Sequence, residues 1–550
     1  NRIETHESGT APCKTACPAH VAVQGYLKLA AQGRYDEALA LIKRENPLPA
    51  ICGRVCNRRC EDACTRGRVD AAVAIDEVKK FIAQRDLDAA TRYVPPVVTP
   101  TRAGGFDQKI AIIGAGPAGL SCAFYLAEKG YKPVVFEKNE RPGGMLTYGI
   151  PSFKLQKDVI EAEVEIIRLM GAEFRYGVEV GRDVTLDELR EQGFKAFYVA
   201  IGCQGGRLAG IPGEDAEDVT VAVDFLREVN SGKIDALPGR TIVVGGGNVA
   251  IDVARNACRL GSEHVEMFCL ESEAQMPASE EERREAVEDG AHISCGWGPK
   301  EVHLDEAGRV CGITFKRCTR VFDDEGRFAP EYDENDLRRV DADRVVMSIG
   351  QSIVWGDLLA GSKVELGRGQ GALADPQTYQ TAEPDIFVGG DVYTGPSFAI
   401  DAIAAGHEAA VSIHRFVQPG STLTIGRNQR HYTALDRDDV VIESYDNASR
   451  EVAHVDRDRE KAAPFSEYVE TFTEEQVRAE TARCLGCGAS IVDPNKCIGC
   501  GLCTTKCAFD AIRLDRDRPE CSTMVKYEQK LPSLGKYALK RAIKIKFGKK

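Results

Sequence analysis

The stretch from Lys109 to Gly119 constrains the fold of this chain more than any other. An apolar run with strand character breaks there into a glycine turn, and a helical pattern begins near Leu120: Lys109-Ile110-Ala111-Ile112-Ile113-Gly114-Ala115-Gly116-Pro117-Ala118-Gly119. In a G-x-G-x-x-G turn the first glycine makes the tight turn, the second lets the backbone approach a pyrophosphate, and the third lets helix and strand pack closely. The stretch therefore predicts a dinucleotide-binding turn in an α/β domain.

An acidic residue follows the glycine turn at the distance expected for a dinucleotide-binding domain. The next strand pattern, Pro133–Phe136, ends at Glu137, about 20 residues downstream, where an acidic side chain is expected to bind ribose hydroxyls. The alternative is a glycine turn in an α/β protein of another kind, because a single motif is weak evidence.

A second glycine turn of the same kind follows the strand pattern Arg240–Val244. It reads Gly245-Gly246-Gly247-Asn248-Val249-Ala250. Two such turns in one chain are far more specific than one, and they imply two different dinucleotides, as in flavoproteins reduced by a nicotinamide nucleotide. No C-x-x-C or C-x-x-x-x-C follows either turn, which argues against a flavin disulfide reductase with an active dithiol.

Other segments fit a two-domain nucleotide-binding layout. The loop that contains Gly144 and Met145 is predicted to lie beside the flavin, and Gly202 ends a buried strand. The sequence is expected to return to the first domain near Arg344–Gly350, and to reach the strand that closes on Asp391 before a helix from about Phe398 to Phe416. In this layout the second nucleotide domain is inserted within the first.

Length and charge exclude several function classes. At 550 residues the chain is too long for one compact core. A net charge of -13 argues against nucleic acid as the main partner. No uninterrupted apolar stretch reaches the roughly 18 residues of a membrane span, and no signal-peptide core is present. The sequence therefore predicts a soluble, cytoplasmic protein without membrane or nucleic-acid partners.

Twenty cysteines are many for such a chain. Six lie between Cys13 and Cys64 and seven between Cys484 and Cys521, and dense runs without a secretion signal favour metal ligation over disulfides. The other seven are predicted to be small buried hydrophobes: Cys122, Cys203, Cys258, Cys269, Cys295, Cys311 and Cys318.

The N-terminal cysteines have the close spacing that an iron-sulfur cluster requires. The candidate ligands are Cys13, Cys17, Cys56, Cys60 and Cys64, and Cys52 shares their four-residue spacing. The alternative is a helix face lined with buried thiols. Helical periodicity runs from Tyr26 to Ile42, and Tyr93–Gly105 has the proline and glycine content of a linker.

The C-terminal cysteines match a ferredoxin run, Cys497-x-x-Cys500-x-x-Cys503-x-x-x-Cys507. The first three are predicted to ligate a 4Fe-4S cluster, and the last cysteine of such a run serves a second cluster in two-cluster ferredoxins. Cys484, Cys487 and Cys521 are the nearby candidates for that second site, and zinc is the alternative for the Cys484 and Cys487 pair. The lysine-rich tail after Lys526 is expected to be either solvated and mobile or a docking arm for an acidic partner.

Taken together, these residues resemble the family of the glutamate synthase small subunit, which includes the N-terminal half of dihydropyrimidine dehydrogenase and the large subunit of an electron-bifurcating transhydrogenase. The resemblance covers most of residues 12 to 415. Besides the two glycine turns, it rests on Asn46-Pro47-Leu48-Pro49, Gly53-Arg54-Val55-Cys56, Cys60-Glu61-x-x-Cys64, Tyr148-Gly149-Ile150-Pro151, Met276-Pro277 and Gly389-Gly390-Asp391.

The resemblance implies specific cofactor sites. It implies FAD at Gly114–Gly119 and Glu137 with Asp391 on the ribityl chain, and a nicotinamide nucleotide at Gly245–Ala250. Gly350, in the segment expected to return to the FAD-binding domain, is a further cofactor-binding candidate. It also implies iron-sulfur clusters that pass electrons to a partner. NADPH-using relatives tend to carry two arginines where Leu270 and Glu271 stand.

The residues at that place favour NADH. A carboxylate at Glu271 can bind ribose hydroxyls and repels a 2'-phosphate. In the alternative interpretation Glu271 points into solvent, and Arg283 or Arg284 approaches the phosphate.

Two departures from the family pattern bear on the clusters. Similar proteins carry a C-x-x-C pair before the position of Cys13, where Thr5 and Ser8 stand here, and a ligating acidic or amide side chain would fall near Lys79. We therefore expect one N-terminal cluster rather than two. A further hypothesis is that the Cys484 and Cys487 pair replaces the missing one and completes a site with Cys13 and Cys64.

The predicted fold is a helical N-terminal iron-sulfur domain, two Rossmann-like α/β domains, one inserted in the other, and a C-terminal ferredoxin-like α+β module. The predicted helical iron-sulfur domain spans residues 1–92. The FAD-binding domain is predicted at 106–235 and 344–420, with the nucleotide-binding domain for NAD(P) between them at 236–343. A connector at 421–480, the ferredoxin-like module at 481–525 and a basic tail at 526–550 follow.

The predicted function is that of an oxidoreductase subunit moving electrons between NAD(P)H, FAD and at least two 4Fe-4S clusters. It would work with other redox subunits or ferredoxin, in an electron-bifurcating or ferredoxin-linked complex. The alternatives are a glutamate synthase small subunit and an electron-wiring scaffold with inactive nucleotide sites.

Overall fold

The computed structural model describes residues 9–98, 105–427, 432–440, 442, 445–488, 497–506, 512, 514 and 526–547. Two compact units divide the chain: Glu7–Ala489 is one, and Ser490–Lys550 with Asn1–His6 is the other. Cys507, Cys521 and the central part of the predicted linker lie outside the described residues.

Short helices form the N-terminal domain, as predicted. They are α1 Pro12–Thr15, α2 Val23–Ala31, α3 Tyr35–Lys43, α4 Pro49–Val55, α5 Arg59–Asp62 and α6 Ile75–Ala83, with 3-10 turns at Thr65–Arg68 and Gln84–Asp86. The single helical pattern expected from Tyr26 to Ile42 is two helices, because Gly33 adopts φ +71° between them, a left-handed conformation that ends a helix and favours glycine.

The nucleotide-binding part alternates strands and helices. Its first segment contains β1 Lys109–Ile113, α7 Pro117–Glu128, β2 Val134–Glu137, α8 Met145–Tyr148, α9 Lys157–Leu169, β3 Glu173–Tyr176, α10 Leu186–Glu191 and β4 Phe194–Val199. The second contains β5 Gly205–Gly206, β6 Val219–Val221, α11 Ala222–Asn230, β7 Arg240–Val244, α12 Asn248–Arg259, β8 His264–Cys269, α13 Glu280–Glu288, β9 His292–Cys295, β10 Trp297–Leu304, β11 Val310–Phe322, β12 Phe328–Val340 and β13 Arg344–Met347.

The remaining elements complete the chain. They are β14 Gln351–Ser352, β15 Ile386–Val388, α14 Asp391–Thr394, α15 Ala399–Val417, α16 Arg457–Ala462, α17 Glu474–Ala482, α18 Leu502–Lys506 and α19 Tyr527–Phe547, with 3-10 turns at Glu273–Gln275 and Arg368–Gln370.

The first sheet is parallel and has the order β15-β4-β1-β2-β3. Strands β15, β4, β1 and β2 are buried apolar runs, as a parallel sheet covered on both faces requires, whereas the edge strand β3 is only partly buried. Helix α15 packs closely on α7: a Cβ added at Gly406 would lie 2.2 Å from the Ala118 carbonyl oxygen. Because β15 comes after the whole second sheet in sequence, the predicted insertion of one domain in the other is confirmed.

The second sheet is also parallel, with the order β6-β13-β7-β8-β9, and an antiparallel β10-β11-β12 meander accompanies it. The expectation that the chain returns to the first domain near Arg344 is wrong: Val345 pairs with Ile242 of β7 and Val219 of β6. Gly350 therefore follows a strand of the second sheet. The chain returns to the first sheet only at β15, which pairs with β4. Before that, the short strand β14 pairs with β5.

Two predicted irregular regions contain helices. The connector includes α16 and α17, and a bridge pairs Val455 with Val469. The lysine-rich tail forms helix α19, whose side chains are exposed. Within the part of the chain that the structure describes, no helix is both long and apolar enough to cross a bilayer.

Candidate functional site

The three glycines of the first turn differ in their steric surroundings. Gly114 has φ +105°, and an added Cβ would lie 2.5 Å from the Ala200 carbonyl oxygen. At Gly119 an added Cβ would lie 2.0 Å from the Gly114 carbonyl oxygen, so helix α7 needs glycine there to pack on β1. Gly116 faces open space, with no atom within 4 Å of an added Cβ. The turn thus leaves a cradle at the N-terminus of α7, where Pro117 and Ala118 begin the helix.

A carboxylate and a second glycine loop border this cradle. Glu137 is buried at the end of β2, and its Oε2 accepts a hydrogen bond of 2.8 Å from the Ala115 N–H. Gly144, with φ +55°, lies so close that an added Cβ would be 3.1 Å from the Gly116 Cα, and Met145 begins α8 directly after it. The structure therefore brings the loop predicted beside the flavin against the turn.

The aspartate after β15 reaches the same end of the first sheet. Gly390, directly before Asp391, packs on α7, since an added Cβ would lie 3.0 Å from the Ala118 Cβ. The Asp391 carboxylate accepts a hydrogen bond of 3.2 Å from the Ser397 N–H. Burial raises the pKa of Asp391 to about 6, and the Ser397 N–H opposes the rise.

Gly202 lies in the loop after β4 with φ +68° and open space beside it. The next residue, Cys203, has its Sγ 3.7 Å from the Asp391 carbonyl oxygen. The residues predicted to bind FAD thus meet around one cradle, which fits a dinucleotide.

The second turn repeats the arrangement. Gly245 has φ +140°, and an added Cβ would lie 2.2 Å from the Ser348 carbonyl oxygen. The residue directly after β13 therefore packs against this turn, as Ala200, directly after β4, packs against the first. Gly247 again faces open space, and Asn248, Val249 and Ala250 form the first turn of α12. Gly350, with φ +118° after β13, corresponds to Gly202 after β4.

The Glu271 carboxylate reaches the second turn. An added Cβ at Gly246 would lie 3.0 Å from Glu271 Oε2. The two arginines considered as alternatives differ in position: Arg283 Nη1 donates to the carbonyl oxygen of Glu273, on the same loop as Glu271, at 2.7 Å, and Arg284 pairs with Glu288 at 3.6 Å. The place next to the turn therefore carries a negative group.

Sequence reasoning missed a lysine that joins the two nucleotide-binding parts. Lys154 lies in the segment between α8 and α9, and its Nζ pairs with Asp252 of α12 at 2.6 Å and with Glu282 of α13. The only signal in the sequence was its position directly after the Tyr148–Pro151 motif.

The N-terminal cysteines fall into two sets rather than one. The first, called here the split thiol site, contains Cys13, Cys64, Cys484 and Cys487, which line one cavity. Burial raises the pKa of Cys13 far above its usual range, and the three other thiols raise it further.

The second set contains Cys17, Cys56 and Cys60: Cys56 and Cys60 lie near Lys79, and Cys17 lies near Cys56. Burial raises the pKa of both Cys56 and Cys60, and the Lys79 ammonium lowers both. Lys79 is itself buried and pairs with Asp76. Cys52 also lies near Lys79 and Cys56, but it is buried, with its Sγ 3.8 Å from Asn46 Oδ1.

The C-terminal run is described in part. Cys497, Cys500 and Cys503 are exposed residues of the smaller unit, in and before α18. Among the described residues, no three side chains of the His, Cys, Asp or Glu type are arranged to hold a single metal ion. A 4Fe-4S cluster has four thiolate ligands, and the split thiol site supplies that number around one cavity, so these residues fit a cluster.

Three family comparisons match different parts of the chain. Residues 108–406 match the pyridine nucleotide-disulphide oxidoreductase family, residues 6–91 match the 4Fe-4S cluster domain II of dihydropyrimidine dehydrogenase, and residues 490–513 match a 4Fe-4S binding domain. The matches confirm the predicted fold class.

Two curated relatives are similar over most of the chain. The NADP(+)-dependent formate dehydrogenase subunit beta of Moorella thermoacetica is 35% identical over 87% of this chain and 70% of its own length. The glutamate synthase [NADPH] small chain of Escherichia coli is 35% identical over 74% of this chain and 89% of its own length.

Among solved structures, a variant of FprA from Mycobacterium tuberculosis aligns with a TM-score of 0.50 at 18% identity. The alignment covers 68% of this chain and 99% of that one. At this identity the likeness concerns the fold alone.

Proposed function

The chain belongs to the pyridine nucleotide-disulphide oxidoreductase family, and we propose that it is the electron-transferring subunit of a larger redox complex. In this proposal it moves electrons between a nicotinamide nucleotide, FAD and 4Fe-4S clusters. The observation that carries the proposal is the pair of glycine turns in two separate parallel sheets. In each turn the glycine directly before the helix, Gly116 or Gly247, faces open space. A scaffold with inactive nucleotide sites would not require open space beside either glycine turn.

The chain's own residues position the cofactors. The turns at Gly114–Gly119 and Gly245–Ala250 would hold the two pyrophosphates at the N-termini of α7 and α12. FAD, when bound, takes a hydride from the nicotinamide and releases single electrons. Glu137 and Asp391 would orient the flavin nucleotide, and Lys154 holds the second domain against the first. No acid, base or nucleophile is needed beyond this positioning.

NADH is the proposed nucleotide. The Glu271 carboxylate beside the second turn supports it, because this group can accept hydrogen bonds from ribose hydroxyls and repels a 2'-phosphate. Two relatives carry NADP in their names, and this chain lacks the arginine pair that would favour that nucleotide.

We propose other redox subunits as partners, in an electron-bifurcating or ferredoxin-linked complex. The support is the 4Fe-4S match at residues 490–513. A cluster there would pass electrons from the flavin to another subunit. The second candidate is a glutamate synthase small subunit, favoured by the similarity to 89% of the Escherichia coli small chain. That alignment covers only 74% of this chain.

Anaerobic spectroscopy of the purified complex tests the proposal. We expect a yellow-brown protein that contains FAD and iron, whose flavin absorbance bleaches on addition of NADH. Copurified redox subunits without a glutaminase-type subunit would favour the proposed complex, and a glutaminase-type neighbour would favour the second candidate. Absence of flavin, or a flavin that neither NADH nor NADPH reduces, would contradict both.

The metal in the C-terminal run needs its own measurement. Replacing Cys497, Cys500 and Cys503 together by alanine should remove about four irons per chain. The same variant should keep its FAD and its reduction by NADH. Unchanged iron, or zinc in place of iron in the unmodified protein, would reject the assignment.

A further inference from the structure

We propose that Cys13, Cys64, Cys484 and Cys487 together ligate one 4Fe-4S cluster, so that a C-x-x-C pair near the C-terminus completes a site in the N-terminal domain. The inference rests on the proposed function, because it concerns a cluster of the same electron-transfer chain. It goes further by adding to Cys13 and Cys64, which lie in the match at residues 6–91, two ligands that lie outside both cluster-domain matches, because Cys484 and Cys487 precede the match at residues 490–513.

The four thiols converge in space although they are distant in sequence. They line one cavity whose other walls include Val23, Leu27 and Ile75. Cys13 and Cys64 are 8% and 9% exposed, and Cys484 and Cys487 are partly buried, so the N-terminal side of the site is the better shielded from water. An apolar cavity with thiols as its converging polar groups suits an iron-sulfur cluster, which tolerates burial when its sulfurs are well placed.

Helix α17 fixes the position of the C-terminal pair. Arg483, directly before Cys484, is fully buried, and its guanidinium pairs with Glu480 at 2.6 Å and with Asp70 at 3.0 Å. The Cys487 carbonyl oxygen accepts a hydrogen bond of 2.6 Å from Gln24 Nε2 of α2. These contacts tie the pair to the N-terminal domain independently of residues 490–550.

Gly488 continues this attachment on the other side of the pair. An added Cβ there would lie 2.5 Å from the Gly9 carbonyl oxygen, so the chain after Cys487 packs against the segment that leads to Cys13. A pair that served only the C-terminal run would not need this packing.

An orphaned polar group also points to a ligand. The Thr65 side chain is 2% exposed, and its hydroxyl is buried without a hydrogen-bond partner among the described residues. It lines the same cavity as Cys487. The Gly486 N–H likewise faces Cys484. Hydrogen bonds to sulfur are a means of tuning a cluster, and a thiolate is the acceptor that these donors need.

The arrangement of the thiols favours a cluster over zinc. Four thiolates around one zinc ion lie about 2.3 Å from the metal, which brings the sulfurs into mutual contact. No group of described residues has the arrangement of a single-ion site. A 4Fe-4S cluster places its thiolates around a larger body, which agrees with four thiols spread over the wall of a cavity.

Iron counting in paired variants of the full-length protein tests the shared site. Cys13→Ala and Cys484→Ala should each lose about four irons per chain, because each removes a ligand of the same cluster. The double variant should lose no more iron than either single variant. Cys258→Ala, on α12 in the second nucleotide domain, is the control and should keep all its iron. FAD content reports folding in every variant.

Other results have separate meanings. A double variant that loses about eight irons would show two different sites and overturn the inference, as would zinc bound to these thiols. An unmodified protein that contains FAD and no iron would instead contradict the proposed function.

Thr65→Val provides a test that does not remove a ligand. It should lower the reduction potential of one cluster, because the lost hydrogen bond stabilised the more negative reduced state, while Thr65→Ser should restore it. Redox titration followed by electron paramagnetic resonance measures this, and the shifted signal should be the one missing in Cys484→Ala. Unchanged potentials in Thr65→Val, or a shift in a signal that Cys484→Ala retains, would overturn the inference.

Discussion

At the scale of single residues, Gly116 and Gly247 form a matched pair. Both have ordinary negative φ values, -78° and -92°, and both face open space. Valine therefore fits either backbone without strain. We predict that Gly116→Val folds but loses most of its FAD, because its side chain occupies the space of the pyrophosphate. Absorbance of the purified variant measures the FAD content.

Gly247→Val is the control for that variant. It should keep its FAD and lose most of its reduction by NADH, since it blocks only the second turn. Full FAD occupancy in Gly116→Val would contradict the assignment of the first turn, and loss of FAD in both variants would point to a general folding defect.

Glu271 gives a second residue-scale prediction. Replacing Leu270 and Glu271 by arginine removes the repulsive carboxylate and adds two guanidinium groups that can bind a 2'-phosphate. We expect the ratio of kcat/KM for NADH over NADPH to fall by about tenfold or more, which is about 1.4 kcal/mol. Stopped-flow reduction of the flavin by each nucleotide provides the rates.

The control for this change is Glu273→Arg, which alters charge on the same loop at an exposed position. It should leave the ratio nearly unchanged. A clear preference of the unmodified protein for NADPH would refute the role given to Glu271.

At the scale of elements, helix α17 depends on one buried ion pair. Arg483 and Glu480 are both fully buried, and Glu480 also accepts a hydrogen bond from the Ala74 N–H. Arg483→Met leaves the Glu480 carboxylate without its cation, which costs about 3–5 kcal/mol. We expect the opening free energy of α17, measured by native-state hydrogen exchange, to fall by about that amount.

Arg478→Met on the same helix is the matched control. Its ion pair with Glu474 is exposed, so the loss should stay below about 1 kcal/mol. Equal protection of α17 in Arg483→Met and the unmodified protein would show that the buried pair does not hold this helix.

The same scale shows what sequence could predict and what it could not. The glycine turns at Gly114 and Gly245 were predictable because each glycine has a local steric reason. The strand at Arg344–Met347 was assigned to the wrong sheet, because a buried strand that ends in glycine looks the same in either domain and only pairing with β7 decides.

The cysteines show the same limit. Spacing identified Cys13 and Cys64 as ligand candidates, but it grouped them with Cys17, Cys56 and Cys60. Their separation into two sets follows from tertiary packing, because it depends on where helix α17 brings Cys484 and Cys487. Local spacing carries no information about a contact made by so distant a segment, and the hypothesis that joined these four cysteines came from the C-x-x-C pair that the family pattern places before Cys13 and this chain lacks.

At the scale of the whole molecule, the larger unit joins three functional parts through charged contacts. Lys154 links the first nucleotide domain to Asp252 and Glu282 of the second, and Arg58 of the N-terminal domain pairs with Glu281 of α13. Hydride transfer requires the nicotinamide and the flavin to meet in a fixed geometry. These contacts therefore hold the inserted domain in a defined position relative to the others.

The last prediction follows from that role. Lys154→Met keeps the length of the side chain but leaves Asp252 and Glu282 facing each other without a cation. The second domain should shift away, and a misplacement of about 1 Å can cost up to about 100-fold in rate. We expect flavin reduction by NADH to slow by about 10-fold to 100-fold while FAD content stays unchanged. Lys195→Met, at an exposed position of β4, should reduce normally, and Lys154→Arg should restore most of the rate. A Lys154→Met protein that is reduced as fast as the unmodified one would mean that the domains keep their geometry without this ion pair.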